Sequence, residues 1–553
     1  MKKLFILLLF IPHLLIAQNY RELTDSALHV MWSANDTNVL KVYPLSLALY
    51  QRAFKEYPNE IEWVALYKAG SIECELGNKT EAFDYLGKTI DKDGWTVILG
   101  KYSRGEFSKL VDDPRWDLLV DKARKRKQDF LRPYALKQEK LEEDQMLKKM
   151  NFDRDDAISA YEKIKTYHQY PVIHDRYISM GFLINDSTRT TYLICLPPNY
   201  DSHRSYALMF SLHGAVSMNT GFPDYEDSTS TGGWNRFYTK YAGEVIMVYP
   251  HGNKEYNWMY PDAGFFMIPA ILKQIKQIIN VDDNRVFITG HSNGATGSFS
   301  YLMKEPSPFA AFYGFNTRPR VATGGTYIRN ILNRSFFNVS TDIDYYYPPN
   351  ANDSLAVTMK KLGADYQDHR YNGFPHWFPQ FDQSEPAHKL LFEDLAKRKR
   401  DAFHPVIYWE CDNVKYGRCD WIEITALDTL KKRANWQTNI NFKINKWIVL
   451  SKKDSAVVRD TLLDAFNYRH QSGAIKAVYS NNVFKIETSD VKSFSLLISP
   501  EMVDMNKPLT VTVNGKVYSK QKPNYNKDFM LADFKNTLDR SAIWVNHIDV
   551  TVP

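Results

Sequence analysis

Between residues 171 and 402 short apolar runs alternate with apolar residues at helical spacing, a pattern that predicts strands linked through helices. Residues 177–183 and 190–196 read as strands, 206–212 as a wholly apolar strand, and 245–249 and 285–289 as two more. Between the last two, Ile268, Ile271, Leu272, Ile275, Ile278 and Ile279 recur on one helical face. Residues 335–340 and 366–371 extend the series. Continuously apolar strands joined by helices are buried on both faces, so the expectation is a doubly wound, mostly parallel α/β sheet.

The texture differs on either side. Residues 47–54 and 81–88 match in outline at an offset of 34, pairing Ala48 with Ala82 and Ala53 with Gly87. Small residues let paired helices approach closely, and this period resembles that of tetratricopeptide repeats. Residues 18–130 are therefore expected to form a tetratricopeptide-like helical domain, with 63–90 as one full repeat and a capping helix starting near 112–116. A plain helical hairpin packed on the next domain is the alternative. Residues 131–170 read as a charged helical connector whose apolar positions begin at Ala157, Tyr161 and Ile164. From 403 to 553 the alternation has period two, with an Asn514-Gly515 hairpin signal, which predicts a β-rich, sandwich-like module. Its Trp409, Trp421 and Trp436 belong either to the module's core or to a carbohydrate-binding face.

The candidate chemistry centres on Gly290-His291-Ser292-Asn293-Gly294, which lies between an apolar run and a small-residue segment. A G-x-S-x-G at a strand-to-helix turn needs glycines two residues before and after the serine, and it throws the hydroxyl to the top of the sheet. Ser292 is thus the candidate nucleophile. Its partners are expected in the order acid, then histidine, at the ends of later strands. Asp344 is the acid candidate and Asp342 the reserve, unless one of them caps the helix expected at 353–361. His376 is the candidate base, held by a turn at Gly373-Phe374-Pro375. His369 lies within a strand, and His388 begins the last helix as a surface residue. His213-Gly214-Ala215 follows the 206–212 strand, so the backbone amides of Ala215 and Asn293 are the expected oxyanion donors. His251-Gly252 reads as a turn near the pocket rim, and 218–234 as a polar loop over the pocket.

Taken together, these residues resemble the α/β-hydrolase superfamily, close to its feruloyl-esterase and polyhydroxybutyrate-depolymerase-like branch. The resemblance spans about 175–400 and rests on Leu212-His213-Gly214, Val248 to Gly252, Val281 to Val286, Gly290 to Gly294 and the loops of Asp344 and His376. One departure is Ala295, where that branch usually has a further glycine. The resemblance implies ester hydrolysis through an acyl-enzyme without a cofactor, with feruloyl or acetyl esters of polysaccharide as the favoured substrate. An exported peptidase and a non-catalytic scaffold, recruiting a protein partner through the helices and the β-rich module, are the other readings. The helical N-terminal part argues against the peptidase, and the ordered triad candidates argue against the scaffold.

The chain has 553 residues, 44% of them hydrophobic, and a formal net charge of +6, which suits a multi-domain globular protein. Basic runs at 122–127 and 397–400 read as solvated helix faces, so neither argues for nucleic acid. Residues 1–17 combine Lys2-Lys3, an apolar stretch and Ala17-Gln18, the layout of a secretory signal peptide, and nothing later is long enough to span a bilayer. The expectation is a secreted or periplasmic protein. Cys411 and Cys419 could close a small loop, Cys74 and Cys195 read as buried thiols, and no spacing suits zinc.

Overall fold

The computed structural model describes residues 19–553 except 35–36, 101–102, 144–145, 217–220, 227–230, 232–233, 260–261, 429, 431–432, 451–455 and 469. The signal-peptide segment and much of the 218–234 loop lie outside the described residues. The chain divides into two compact units, Met1–Glu139 and Lys140–Pro553.

In the first unit the helices Tyr20–Trp32, Val39–Glu56, Trp63–Leu76 and Lys79–Asp91 pack in chain order. Asn19 and Glu22 form a reciprocal capping box at the first helix, and Gly77, at φ 85°, closes the third. The buried faces of the second and fourth helices align Ser46 with Ala82, Tyr50 with Leu86 and Ala53 with Thr89. That is two residues out of the phase expected from sequence, and Ala48 is exposed. The close approach is made instead at Gly70, where a Cβ would sit 3.0 Å from Leu86 Cδ2. The helix expected near 112–116 runs from Arg115 to Glu143, and its Trp116, Leu119 and Ala123 bury against Leu86, Ile90 and Phe107.

The second unit is built on eight strands: β1 (Tyr177–Asn185), β2 (Thr188–Cys195), β3 (Tyr206–Leu212), β4 (Ile246–Pro250), β5 (Val281–Gly290), β6 (Ala311–Phe315), β7 (Ser335–Ile343) and β8 (Tyr366–Pro375). Their order is β1-β2-β4-β3-β5-β6-β7-β8. β2 runs against both neighbours, and every pair from β4 to β8 is parallel. β6 was not among the strands read from sequence. β8 runs four residues past Tyr371, because Ile343 pairs with Pro375. Helices Met267–Lys276, Asn293–Lys304 and Pro349–Leu362 cover one face of the sheet, and Asn235–Tyr241 and Glu385–Leu395 cover the other. Seven parallel-related strands buried between two helical layers define an α/β-hydrolase type of sheet.

Beyond it come β9 (Val406–Cys411), β10 (Arg418–Cys419), β11 (Ile422–Leu427), β12 (Lys443–Leu450), β13 (Ala456–Asp464), β14 (Gly473–Ser480), β15 (Val483–Ser489), β16 (Val491–Ile498), β17 (Leu509–Val513), β18 (Lys516–Gln521) and β19 (Asn546–Thr551). The sheets β10-β11-β16-β19 and β18-β17-β15-β14-β9 share one apolar core. Trp409 and Trp421 are fully buried in it, which removes both from a carbohydrate-binding face. Cys411 and Cys419 are separate buried thiols rather than a loop closure, and Cys195 is only half-buried. Part of the expected connector is core: Tyr161 and Ile164 pack with Met530, Phe534 and Val545.

Candidate active site

The carboxyl ends of β3 to β8 bring the site residues to one edge of the sheet. β3 has β4 on one side and β5 on the other, so the chain reverses its winding there and opens a crevice. Ser292 occupies the turn between β5 and the helix Asn293–Lys304, with φ 58° and ψ −120°. A serine tolerates this left-handed strain only where its surroundings enforce it. They do: Ser292 N–H donates to the Phe315 carbonyl at 3.1 Å, and Gly294 N–H to the His291 carbonyl at 2.9 Å. The flanking glycines are sterically required. A Cβ on Gly290 would lie 2.4 Å from the Gly294 carbonyl carbon, and one on Gly294 would lie 1.9 Å from the Leu212 oxygen. Ala295 is accommodated because β6 supplies Gly314 opposite, where a Cβ would stand 3.1 Å from the alanine methyl.

His376 and Asp344 meet, both 2% exposed, with the imidazole Nδ1 2.8 Å from Asp344 Oδ1. The carboxylate accepts two further bonds, from Tyr346 N–H at 2.7 Å and from Asn316 Nδ2 at 2.8 Å. With Oδ1 facing Nδ1, the imidazole proton sits on Nδ1 and Nε2 is left as the acceptor. Asp342, the reserve acid, does another job: its Oδ1 accepts from the amides of Gly373 and Phe374 at 2.7 and 3.3 Å. It thereby fastens the acid strand to the segment that delivers His376. His369 stacks on Phe337 within the sheet, with Nε2 on Gln367, and stays apart from the site.

Sequence reasoning gave no role to three neighbouring side chains, of which it had not named Asn316. Asn316, at φ 54°, follows β6 and donates from Nδ2 to both Asp344 and Thr341. Asparagine is among the few residues that tolerate this left-handed conformation, which is the one local signal that could have marked it. His291 Nε2 donates to the His376 carbonyl at 2.7 Å, and burial together with the nearby His376 ring brings its pKa down to about 3. His213 accepts at Nε2 from Gly252 N–H at 3.0 Å, so its Nδ1 carries the proton and donates to the Gly214 carbonyl at 2.7 Å. Burial, with His251 beside it, lowers that imidazole to about 4.

The loop that His213 braces is the candidate oxyanion segment. Ala215 has φ 55°, and Gly214 passes so close that a Cβ there would be 3.1 Å from Ser292 Cβ. Among the described residues the amides of Ala215 and Asn293 donate no hydrogen bond, while the Asn293 side chain donates to Tyr346 Oη at 2.6 Å. His388, read as a surface histidine, is fully buried between Phe237 and Phe315, and burial takes its pKa to about 3. Among the described residues no group of three His, Cys, Asp or Glu side chains is placed to hold a metal ion, and no helix is long and apolar enough to cross a membrane.

An α/β-hydrolase type of sheet with a strained serine elbow and a buried His–Asp pair at its carboxyl edge is the architecture of a serine hydrolase. No family model matches the chain. It is similar to a probable feruloyl esterase C of Aspergillus clavatus, 31% identical over 125 residues, which is 22% of this chain and 43% of that one. The corresponding protein of Aspergillus flavus is 27% identical over 122 residues, again 22% of this chain and 43% of the relative. The match thus spans less than half the length of these curated relatives, and within it the chain is feruloyl-esterase-like. Among solved structures, a thermostable esterase aligns at TM-score 0.33 and 19% identity, covering 41% of this chain and 64% of that one. A ferulic acid esterase aligns at TM-score 0.31 and 18% identity, covering 40% of this chain and 96% of that one.

Proposed function

We propose that the chain is an exported serine esterase that cleaves carboxylic esters through an acyl-enzyme, with feruloyl or acetyl esters of polysaccharide as its favoured substrates. The observation that carries this reading is the buried His376–Asp344 pair, set on the same sheet edge as the Ser292 elbow. Ser292 Oγ attacks the acyl carbon, and its proton passes to His376 Nε2. Asp344 holds the imidazole tautomer and stabilises the imidazolium without itself taking the proton. The oxyanion is received by the amides of Ala215 and Asn293. His376 then protonates the leaving alcohol, and water, deprotonated by the same imidazole, releases the acid and restores Ser292. The residues suffice for this cycle without a cofactor.

The N-terminal helices fit a tetratricopeptide-like unit that docks a protein partner, and the two C-terminal sheets fit a sandwich-like accessory module. The test is hydrolysis of p-nitrophenyl acetate and butyrate, methyl ferulate, acetylated xylan and a peptide amide, by the unaltered chain and by Ser292→Ala. Loss of a triad serine typically removes on the order of a millionfold in turnover. Ester cleavage that disappears in Ser292→Ala supports the reading. Cleavage that survives in it, or a preference for the amide, refutes it.

A further inference from the structure

A second carboxylate–imidazole pair lies one strand away from the oxyanion segment. His251 follows β4 directly, and its Nδ1 is 3.2 Å from Glu226 Oε1. The Glu226 carboxylate is buried, whereas about a third of the His251 side chain, 31%, is open. Glu226 is fixed from two strands: Thr191 Oγ1 of β2 donates to its Oε1 at 2.9 Å, and its own N–H donates to Ser179 Oγ of β1 at 3.0 Å. A buried carboxylate is costly to place, and one held this firmly beside an imidazole favours a ring that turns its Nδ1 edge toward it. Nδ1 faces Glu226 at ion-pair distance. Among the described residues His251 Nε2 enters no hydrogen bond, which leaves an unpartnered polar atom on a ring that is partly open.

The surroundings specify what that acceptor suits. Phe222 meets the His251 ring edge-on at 6.0 Å and lies 6.4 Å from the ring of Tyr256. The His213 ring is 5.2 Å away, and His213 is the residue that braces Gly214 against Ser292. An anion here would meet the Glu226 charge, and the polysaccharide and phenolic esters of the proposed function carry hydroxyls rather than cations. A hydroxyl, which can give or take a hydrogen bond at Nε2 while the carbon skeleton that bears it lies against the rings, suits every group.

We propose that His251, aligned by Glu226, recognises a hydroxyl group of the substrate at a subsite walled by Phe222 and Tyr256. This subsite rests on the serine-hydrolase reading for its place beside Ser292. The hydroxyl belongs to either the acyl or the alcohol side of the ester, and two probe pairs separate these sources. Methyl 4-hydroxycinnamate against methyl cinnamate varies the acyl side, and glucosyl cinnamate against cyclohexyl cinnamate varies the alcohol side.

Binding of all four is measured by calorimetry in the Ser292→Ala background, where turnover does not intervene, with His251 intact and as His251→Leu. A site built to pair a hydroxyl rejects the analogue lacking it, so one hydroxylated member is expected to bind at least tenfold tighter than its partner. That ratio should collapse toward unity in His251→Leu, and the pair that responds names the source. Glu226→Gln, which keeps the shape but removes the charge beside Nδ1, should give a partial loss and guards against a merely misfolded leucine variant. Equal binding within both pairs with His251 present, or an unchanged ratio in His251→Leu, overturns the assignment. Turnover of the same esters by the unaltered chain is followed in parallel. If the His251-dependent preference appears but no ester is cleaved, the esterase reading fails and the hydroxyl subsite stands.

Discussion

His291 Nε2 donates to the main-chain carbonyl of His376 at 2.7 Å, so the residue before Ser292 holds the loop that carries the His376 imidazole. The two rings lie 4.7 Å apart, and the His291 side chain is buried. In His291→Phe the ring volume remains but the donor is lost, which frees the loop to shift. A displacement of about 1 Å at a reacting group can cost roughly a hundredfold in rate. The expected result is a kcat lowered by about ten- to a hundredfold with KM nearly unchanged. A fall in KM-linked binding alone would show that the bond does not position His376.

Asn316 tests the acid in a different way. Its Nδ2 is 2.8 Å from Asp344 Oδ2, so Asn316→Asp sets two carboxylates side by side in a buried site. Like charges at that distance cannot both ionise readily, and one carboxyl is pushed to a higher pKa. Asp344 would then keep a proton to higher pH and hold the imidazole less well. The acid limb of the kcat/KM profile is expected to move up by about one pH unit or more. An unmoved limb would remove Asn316 from the support of the acid.

Three histidines set an expectation for stability. Burial lowers His213 to about 4 and both His291 and His388 to about 3, from an ordinary value of 6.5. Below 6.5 the unfolded chain takes up protons that the folded chain refuses, so this contribution is complete above 6.5 and is lost as pH falls toward the folded values. Each such group adds a slope of about 1.4 kcal/mol per pH unit in that window. The Tm of the chain should therefore drop between pH 6.5 and 4.5. His388→Phe keeps the stack between Phe237 and Phe315 and should flatten the drop by about one proton's worth. Parallel pH curves for the two proteins would contradict the buried, neutral assignment of His388.

What the sequence made legible, and what it hid, follows from how local each signal is. The elbow is written in five consecutive residues because its two glycines answer to contacts within the turn and with β3. That Asp344 and His376 meet was legible from chain order, since parallel strands present successive loops at one edge. Asn514-Gly515 was legible because both residues take positive φ, 48° and 82°, in the β17–β18 hairpin. Asn316, the Asp342 clasp and the His251–Glu226 pair depend on strands and loops distant in sequence, and no local period encodes them. β6 was legible but overlooked, as the unbroken apolar run 309–315. His388 was misjudged although Leu391, Phe392 and Leu395 share its helical face, which is the face that is buried. The helical repeat was out of phase because small residues mark close approach only when they face the partner helix, and Ala48 does not.

Gly294→Ala separates the elbow's steric demand from ordinary helix propensity. In an exposed helix this change usually stabilises, by about 1 kcal/mol. Here the new methyl would stand 1.9 Å from the Leu212 carbonyl oxygen, so the nucleophile turn must move away from β3 and from the candidate oxyanion segment. Activity is expected to fall at least a hundredfold, with a lower Tm. A more stable and active variant would mean that the turn is not held against β3.

The last prediction concerns the C-terminal residues, which are tied to the eight-stranded sheet by a buried ion pair. Arg400 Nη1 and Nη2 donate to Asp539 at 2.6 and 3.0 Å, and Nη2 also donates to Asn284 Oδ1 of β5 at 3.0 Å. Burial opposes ionisation of Asp539, yet Arg400 and Lys276 hold its carboxyl well below the usual carboxylate range. Asp539→Ala would leave a buried guanidinium without its counter-ion, a change that typically costs about 3–5 kcal/mol. Because Arg540 also pairs with Asp283 of β5 at 3.3 Å, that loss should reach the eight-stranded sheet. Urea unfolding followed by ester turnover and by tryptophan fluorescence should give coincident midpoints, both lowered in Asp539→Ala. Turnover that persists beyond a first fluorescence transition would mean that the eight-stranded sheet folds without the C-terminal residues. The double variant Arg400→Met with Asp539→Leu should recover part of the loss, because it removes the unpaired charge along with the pair.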